Sequence, residues 1–205
     1  MSRESIVIES SRAIIKRMNE TRAVRDRLTS GKSLGLVIDV QERLVPVMHQ
    51  SEQVLLKLEI LMKGMTLLGV PFCMSEQYPR GLGPTVVPIS TAAPGITPME
   101  KMEFSCMANE AIRSRLLEED DRTIIVAGIE AHVCVLQTVL DALREGLSIL
   151  VCADAVTSRR VCDTEHALDQ MRQFGAVIGT VESVLFELCS VSGTDQFREL
   201  SKLVR

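Results

Sequence analysis

Short apolar runs alternate with amphipathic stretches along most of the chain. Continuous apolar runs are typical of strands buried on both faces of a parallel sheet, and they predict strands at 34–39, 70–75, 123–127, 148–153 and 176–180. Apolar residues at helical spacing predict helices over 54–68, 132–145 and 167–174, with a polar helix over 107–118 and a helical C-terminal tail. Alternating strands and helices predict a three-layer, doubly wound, Rossmann-like α/β domain with a mostly parallel sheet.

Two segments stand outside this alternation. Residues 1–33 have apolar positions near helical spacing, and we predict an N-terminal helical extension to a domain at 34–205. The extension could cover its own domain, reach a partner chain or be disordered. Residues 79–98 are rich in proline and glycine, which predicts a long irregular loop of the kind that is usually functional or disordered.

Composition narrows the class of protein. A length of 205 residues suits one domain. A net charge of −4, no Trp and a single Tyr argue against a nucleic-acid partner, which favours basic and aromatic surfaces. No apolar run approaches the roughly 18 residues of a membrane span, so we expect no membrane association. The six cysteines form no CxxC pair, which favours a reducing, cytoplasmic location.

The predicted fold brings an acid and a thiol together. Ligands of doubly wound sheets bind beyond the carboxyl ends of the strands, where the strand order reverses. Asp39 ends the first predicted strand, and the turn leading to Cys134 follows the strand at 123–127. A cysteine at a helix start is favoured as a thiolate, Asp39 could serve as its base, and Lys101 could hold both anions. Each residue alone also has an ordinary structural explanation.

Other side chains compete for a role. His132 is a rival base for Cys134, but residues two apart on a helix do not face each other. Glu76 and Arg80 could line a pocket or anchor the loop, and we expect Cys106 to be structural. As substrate-binding residues we predict Gln41, Tyr78, Phe104 and His132.

Six ordered motifs between about residues 34 and 188 resemble the isochorismatase-like cysteine hydrolase family. They are VIDVQ at 37–41, SEQYPRGLG at 75–83, EKMEFS at 100–105, GIEAHVCVLQ at 128–137, ADAVTS at 153–158 and VESVLF at 181–186. The chain is most similar to the isochorismatase-domain-containing branch. The resemblance implies an isochorismatase-like hydrolase fold, a small-molecule substrate and a homo-oligomer, whether a dimer, a tetramer or a larger assembly.

The resemblance also implies roles for the residues. Cys134 would be the nucleophile, Asp39 the general base and Lys101 the orienting cation. A cis peptide bond would join Ile129 to Glu130 and aim the N–H groups of Val133 and Cys134 at an oxyanion. The implied reaction is hydrolysis of a small amide, imide or ureido compound through a thioester. There are two alternatives. The enzyme could hydrolyse another kind of bond, or the protein could be a binding or scaffold protein that keeps the pocket.

The sequence departs from two branches of this family. Nicotinamidases carry an Asp-x-His metal motif after the second strand, whereas residues 75–78 read SEQY and the three histidines are scattered. We therefore predict no catalytic metal and no cofactor, and nicotinamide is a doubtful substrate. Isochorismatases proper lack the cysteine, so vinyl-ether hydrolysis is doubtful as well.

Overall fold

The computed structural model describes residues 27–118 and 121–205. Most of the predicted N-terminal helix therefore lies outside the described residues. Residues 27–29 have no regular structure and lead into a 3-10 turn at Ser30–Lys32. Leu28 packs into the core, and its N–H donates to the Glu187 carboxylate at 2.9 Å. The helical prediction thus does not hold at Leu28.

A parallel sheet forms the centre of the domain. Its strands are β1 Ser33–Ile38, β2 Phe72–Gln77, β3 Met99–Lys101, β4 Thr123–Ile129, β5 Ser148–Thr157 and β6 Val177–Gly179. They pair in the order β3-β2-β1-β4-β5-β6, and every pairing is parallel. The direction of winding reverses between β1 and β4, as in doubly wound sheets that bind ligands at this point. The predicted fold class is confirmed.

Helices cover both faces of the sheet. They are α1 Ser51–Leu67, α2 Pro79–Leu82, α3 Val87–Ala92, α4 Glu110–Leu117, α5 Leu136–Arg144, α6 Val161–Gln173, α7 Val181–Cys189 and α8 Asp195–Leu203. The chain leaves α1 through Gly69, whose φ of +72° suits glycine. A reciprocal capping box between Thr180 and Ser183 begins α7. No described helix has the length and apolar character needed to cross a bilayer.

Side chains alternate between two cores along the buried strands. In β1, Val37 faces the core shared with α1, α7 and α8, whereas Leu36 and Ile38 face the core shared with α4, α5 and α6. The second core also contains Cys106 and Cys134. This period-two alternation decides which polar side chains of β2 reach the same side as Cys134.

Other parts of the chain also differ from the sequence predictions. The predicted loop at 79–98 contains α2 and α3, each with a proline in its first turn, where proline fits a helix. The short strand β3 follows it and was not predicted. Strand β5 runs to Thr157 instead of ending at residue 153, and its pairing with β4 shifts register between Val126 and Gly128.

Candidate active site

Asp39 lies immediately after β1 at the point where the winding reverses. Its backbone is left-handed, with φ of 52°, a conformation that Asp and Asn tolerate better than most residues. The carboxylate is fully buried and both of its oxygens are engaged. Oδ1 accepts the Ser75 hydroxyl at 2.7 Å, and Oδ2 accepts the Lys101 ammonium at 2.6 Å. The charge of Asp39 is therefore compensated inside the protein.

Lys101 ends β3 and points its ammonium into the protein. Besides Asp39, the ammonium has oxygen partners in the Gln77 side chain at 2.8 Å and in the carbonyls of Glu103 and Phe104, each at 3.2 Å. An ammonium has three N–H donors, so these oxygens occupy all of them. Burial opposes the charge of Lys101, but the negative charge of Asp39 outweighs this effect and raises the pKa of Lys101. The lysine is thus a fixed buried cation.

A buried amide network supports this ion pair. Gln77 accepts from Lys101 and donates to the Met102 carbonyl at 2.8 Å. Gln41 accepts the Gln77 N–H at 2.8 Å and donates to the carbonyls of Gln77 and Gly83 at 3.0 and 2.7 Å. Because backbone groups occupy the fully buried amide of Gln41, this side chain does not face a ligand. The observed contacts of Gln41 are structural and give no support to substrate binding, which stays a prediction.

The turn after β4 carries Cys134 to the same edge of the sheet. Gly128 allows this approach, because a Cβ there would lie 2.2 Å from the Ile38 carbonyl oxygen and its φ is +118°. The peptide bond between Ile129 and Glu130 is cis. Cys134 then lies within a π-helical turn at Ala131–Val135, before α5 begins.

The Cys134 thiol is protonated in this arrangement. Burial raises the pKa of the thiol well above its ordinary range, and the negative charge of Asp39 raises it further, while Lys101 only partly opposes them. The carboxylate of Asp39 is close enough for its charge to act on the thiol. The sequence prediction of a thiolate favoured by a helix N-terminus is wrong for this state. A neighbouring base can take the place of a lowered thiol pKa.

One of the two predicted oxyanion donors, the backbone N–H of Val133, already has a hydrogen-bond partner. The N–H of Val133 donates to the Glu130 carbonyl at 3.1 Å, so an oxyanion would have to compete with that carbonyl. The side chain of Glu130 accepts from Arg159 at 2.9 Å. The oxyanion role of Ile129, Glu130 and Val133 stays a prediction, and the geometry gives Val133 little support.

The remaining predicted residues lie around the site. His132 Nδ1 is 2.9 Å from the Ser158 hydroxyl, whereas the charge of Asp39 acts on the Cys134 thiol. Tyr78 and Phe104 are 46% and 54% exposed. Tyr78 lines a cleft of about 450 Å³ together with Arg80, Glu100, Lys101, Met102, Glu103 and Asn109.

Ser75 and Gln77 are partners that the sequence analysis missed. Both lie near the carboxyl end of β2 and, two residues apart, project to the same side of the sheet. Ser75 contacts Asp39 and Gln77 contacts Lys101. A usable signal was present, because polar residues at alternate positions in a buried strand need partners. Among the described residues, no group of His, Cys, Asp and Glu side chains could hold a metal ion.

Comparison with known proteins places this chain in a family. The isochorismatase domain model matches residues 33–183. Isochorismatase domain-containing protein 2 of Bos taurus is 36% identical over 189 residues, which is 92% of this chain and 90% of that protein. The secreted isochorismatase effector Isc1 of Phytophthora sojae is 37% identical over 183 residues, which is 87% of each chain.

Solved structures agree with this placement. The MAR1 ribonuclease of Caenorhabditis elegans superposes with a TM-score of 0.81 at 34% identity, covering 87% of this chain and 92% of that one. The YcaC gene product of Escherichia coli, described as an octameric hydrolase of unknown specificity, has a TM-score of 0.82 at 21% identity, with 88% and 91% covered. A nicotinamidase of Bacillus subtilis shares the fold at 19% identity and a TM-score of 0.62, with 72% and 99% covered. The chain therefore belongs to the isochorismatase domain family, whose fold is that of isochorismatase-like hydrolases.

Proposed function

We propose that this protein is a cysteine hydrolase that cleaves a small amide, imide or ureido compound at Cys134. The observation that carries the proposal is a buried carboxylate, that of Asp39, which is neutralised by Lys101 and whose charge acts on the Cys134 thiol. A buried carboxylate beside a thiol can serve as its base. Family membership supports hydrolysis as the class of reaction.

The proposed reaction proceeds in two halves. Asp39 takes the thiol proton as the Cys134 sulfur attacks the carbonyl carbon, and Lys101 stays charged beside the acid that forms. The tetrahedral intermediate collapses, the C–N bond breaks, and the leaving amine takes the proton from Asp39. Water then gives a proton to Asp39 and attacks the thioester, and the released Cys134 sulfur takes that proton back. The enzyme thus returns to its starting state.

The substrate class follows from how the charges are used. Lys101 has no N–H left for a substrate carboxylate, and Asp39 would repel an anion at the reacting carbon. A neutral reacting group is therefore favoured. The neighbouring cleft is lined by Arg80, Glu100 and Glu103. Charged groups of the substrate that lie away from the reacting carbon could bind there.

A covalent adduct provides the test. The purified protein is incubated with a panel of neutral amides, imides and ureas, and turnover and adduct mass are measured together. Cys134→Ala should abolish both, whereas Cys162→Ser, which changes an exposed thiol outside the site, should leave both unchanged. An adduct that maps to another cysteine, or turnover that survives Cys134→Ala, would contradict the proposal.

Three other possibilities can be tested with the same variants. If no compound in the panel is turned over and the site still binds one of them, the scaffold alternative or hydrolysis of another bond is favoured. The name of the Caenorhabditis elegans relative suggests cleavage of RNA. The acidic net charge of −4 argues against it, because phosphate binding favours basic surfaces. RNA cleavage that disappears in Cys134→Ala would support it.

Assembly and location are part of the proposal. The YcaC gene product, which shares this fold, is described as an octamer, and this supports a homo-oligomer. Sedimentation of the full chain would test it. All six cysteines are free, which supports a reducing, cytoplasmic location. One relative is named as secreted, so detection of this protein outside the cell would overturn that part.

A further inference from the structure

Behind the carboxylate of Asp39 lies a second buried polar group that the proposed reaction does not use. Ser75 is 1% exposed, and its hydroxyl donates to Asp39 Oδ1 at 2.7 Å. The thiol of Cys106, itself fully buried, lies 3.7 Å from the Ser75 oxygen and makes a hydrogen bond to it. The two residues form a chain that ends on the proposed base.

The direction of this chain follows from its chemistry. A carboxylate only accepts hydrogen bonds, so the Ser75 hydrogen must point toward Asp39. The Ser75 oxygen is then free to accept, and the Cys106 thiol is its donor. Burial raises the pKa of Cys106 and more than offsets the opposing effect of Lys101, so this thiol keeps its proton. The Cys106 thiol therefore fixes the orientation of the Ser75 hydroxyl group.

The chain is also anchored to the element that follows Cys134. The backbone N–H of Cys106 donates to the Thr138 hydroxyl at 2.9 Å, and Thr138 belongs to α5. The segment after β3 is therefore linked both to Ser75 and to the helix that follows Cys134. The thiol of Cys73 is a useful contrast, because it is buried in the same core but bonds to the Gly35 carbonyl.

We propose that Ser75, oriented by Cys106, is a positioning residue that donates to the Asp39 carboxylate and keeps it aimed at Cys134. The inference rests on the proposed function, since it assigns Ser75 a role through the proposed base. With Ser75 in place, one Asp39 oxygen is held by a neutral donor and the other by a cation. A hydrogen bond to the charged form of an acid favours that form.

The test measures the alkylation rate of Cys134 by iodoacetamide against pH, by peptide mapping, so no substrate is needed. In Ser75→Ala the pH at which the rate falls to half on the acidic side should rise by about one pH unit. Ser75→Thr keeps the hydroxyl and should restore the original midpoint. Cys106→Ala should move the midpoint in the same direction but less, and Cys73→Ala should not move it.

The outcomes separate this inference from the proposed function. If Cys134 in the unaltered protein reacts no faster than the exposed Cys162, the proposed function fails. If Cys134 reacts fast but Ser75→Ala keeps the original midpoint, only the positioning role fails. If Ser75→Ala folds poorly, the test depends on Cys106→Ala. A midpoint in Cys106→Ala that is unchanged and equal to that of Cys73→Ala would overturn the orienting role of Cys106.

Discussion

Replacement of Asp39 by Asn removes one member of a fully buried ion pair. Both side chains are inaccessible to solvent and their charged atoms are 2.6 Å apart. Asn keeps the shape and tolerates the left-handed backbone at this position, where φ is 52°, so the loss of charge is isolated. An uncompensated buried partner typically costs about 3–5 kcal/mol, and we expect the free energy of unfolding to fall by about that amount.

The double variant tests the electrostatic reason for this loss. Asp39→Asn combined with Lys101→Met removes both charges, so it should be less destabilised than Asp39→Asn alone. Urea unfolding of the four proteins of the cycle measures the coupling. Glu145→Gln is the matched control, because it breaks a solvent-exposed ion pair with Arg113 and should have a much smaller effect.

The pH dependence gives an independent check. The pKa of Lys101 is raised, so its contribution to stability is complete below the ordinary value of 10.5 and is lost as the pH rises through the raised value. In Asp39→Asn the main raising cause is gone and burial lowers the pKa of Lys101. The stability deficit of the variant should then shrink between pH 7 and about pH 10. An equal deficit at both pH values, or a double variant no more stable than Asp39→Asn, would refute the reasoning.

Two further predictions concern packing and titration. Gly128→Ala should abolish the yield of folded protein, because its Cβ would lie 2.2 Å from the Ile38 carbonyl oxygen. Gly146→Ala is the control, since Gly146 has φ of +85° but no neighbour within 4 Å of the added Cβ. It should lower the free energy of unfolding in urea by only about 1–2 kcal/mol. The free energy of unfolding should fall as the pH rises above 9. The reason is that burial raises the pKa of Cys73 to about 12 and that of Cys134 higher still, so only the unfolded chain ionises there. Cys73→Ala should flatten this decline, and a decline that is unchanged in Cys73→Ala would contradict the assignment.

Much of the fold could be predicted because local patterns agree with it. The apolar runs at 34–39 and 123–127 became β1 and β4, which lie side by side in the sheet. Their adjacency brings Asp39 and the Cys134 turn to one edge. By contrast, β3 has only Met99–Lys101 and one buried residue, so it carries no apolar run that a sequence pattern could detect.

The electrostatics of the site could not be predicted from residue order. A helix start near Cys134 suggested a lowered thiol pKa, but α5 begins after Cys134 and burial dominates. The sequence shows that Gln41 is close to Asp39, which suggested that it binds a ligand. The sequence does not show the backbone groups that occupy its side chain. The contacts of Ser75 with Asp39 and with Cys106 join segments that are 36 and 31 residues apart. Such contacts depend on tertiary packing, which spacing along the chain does not reveal.

The most direct test of the account is the alkylation rate of Cys134 in the unaltered protein and in Asp39→Asn. If Asp39 is the base, Cys134 reacts fastest of the six cysteines, its rate is nearly flat from about pH 6 to 8, and Asp39→Asn slows it by about 10²–10⁴-fold. If Asp39 only repels the thiolate, as its effect on the Cys134 pKa would allow, Asp39→Asn leaves Lys101 unopposed and speeds the reaction. A faster variant, or a wild-type rate that rises tenfold per pH unit, would contradict the central claim.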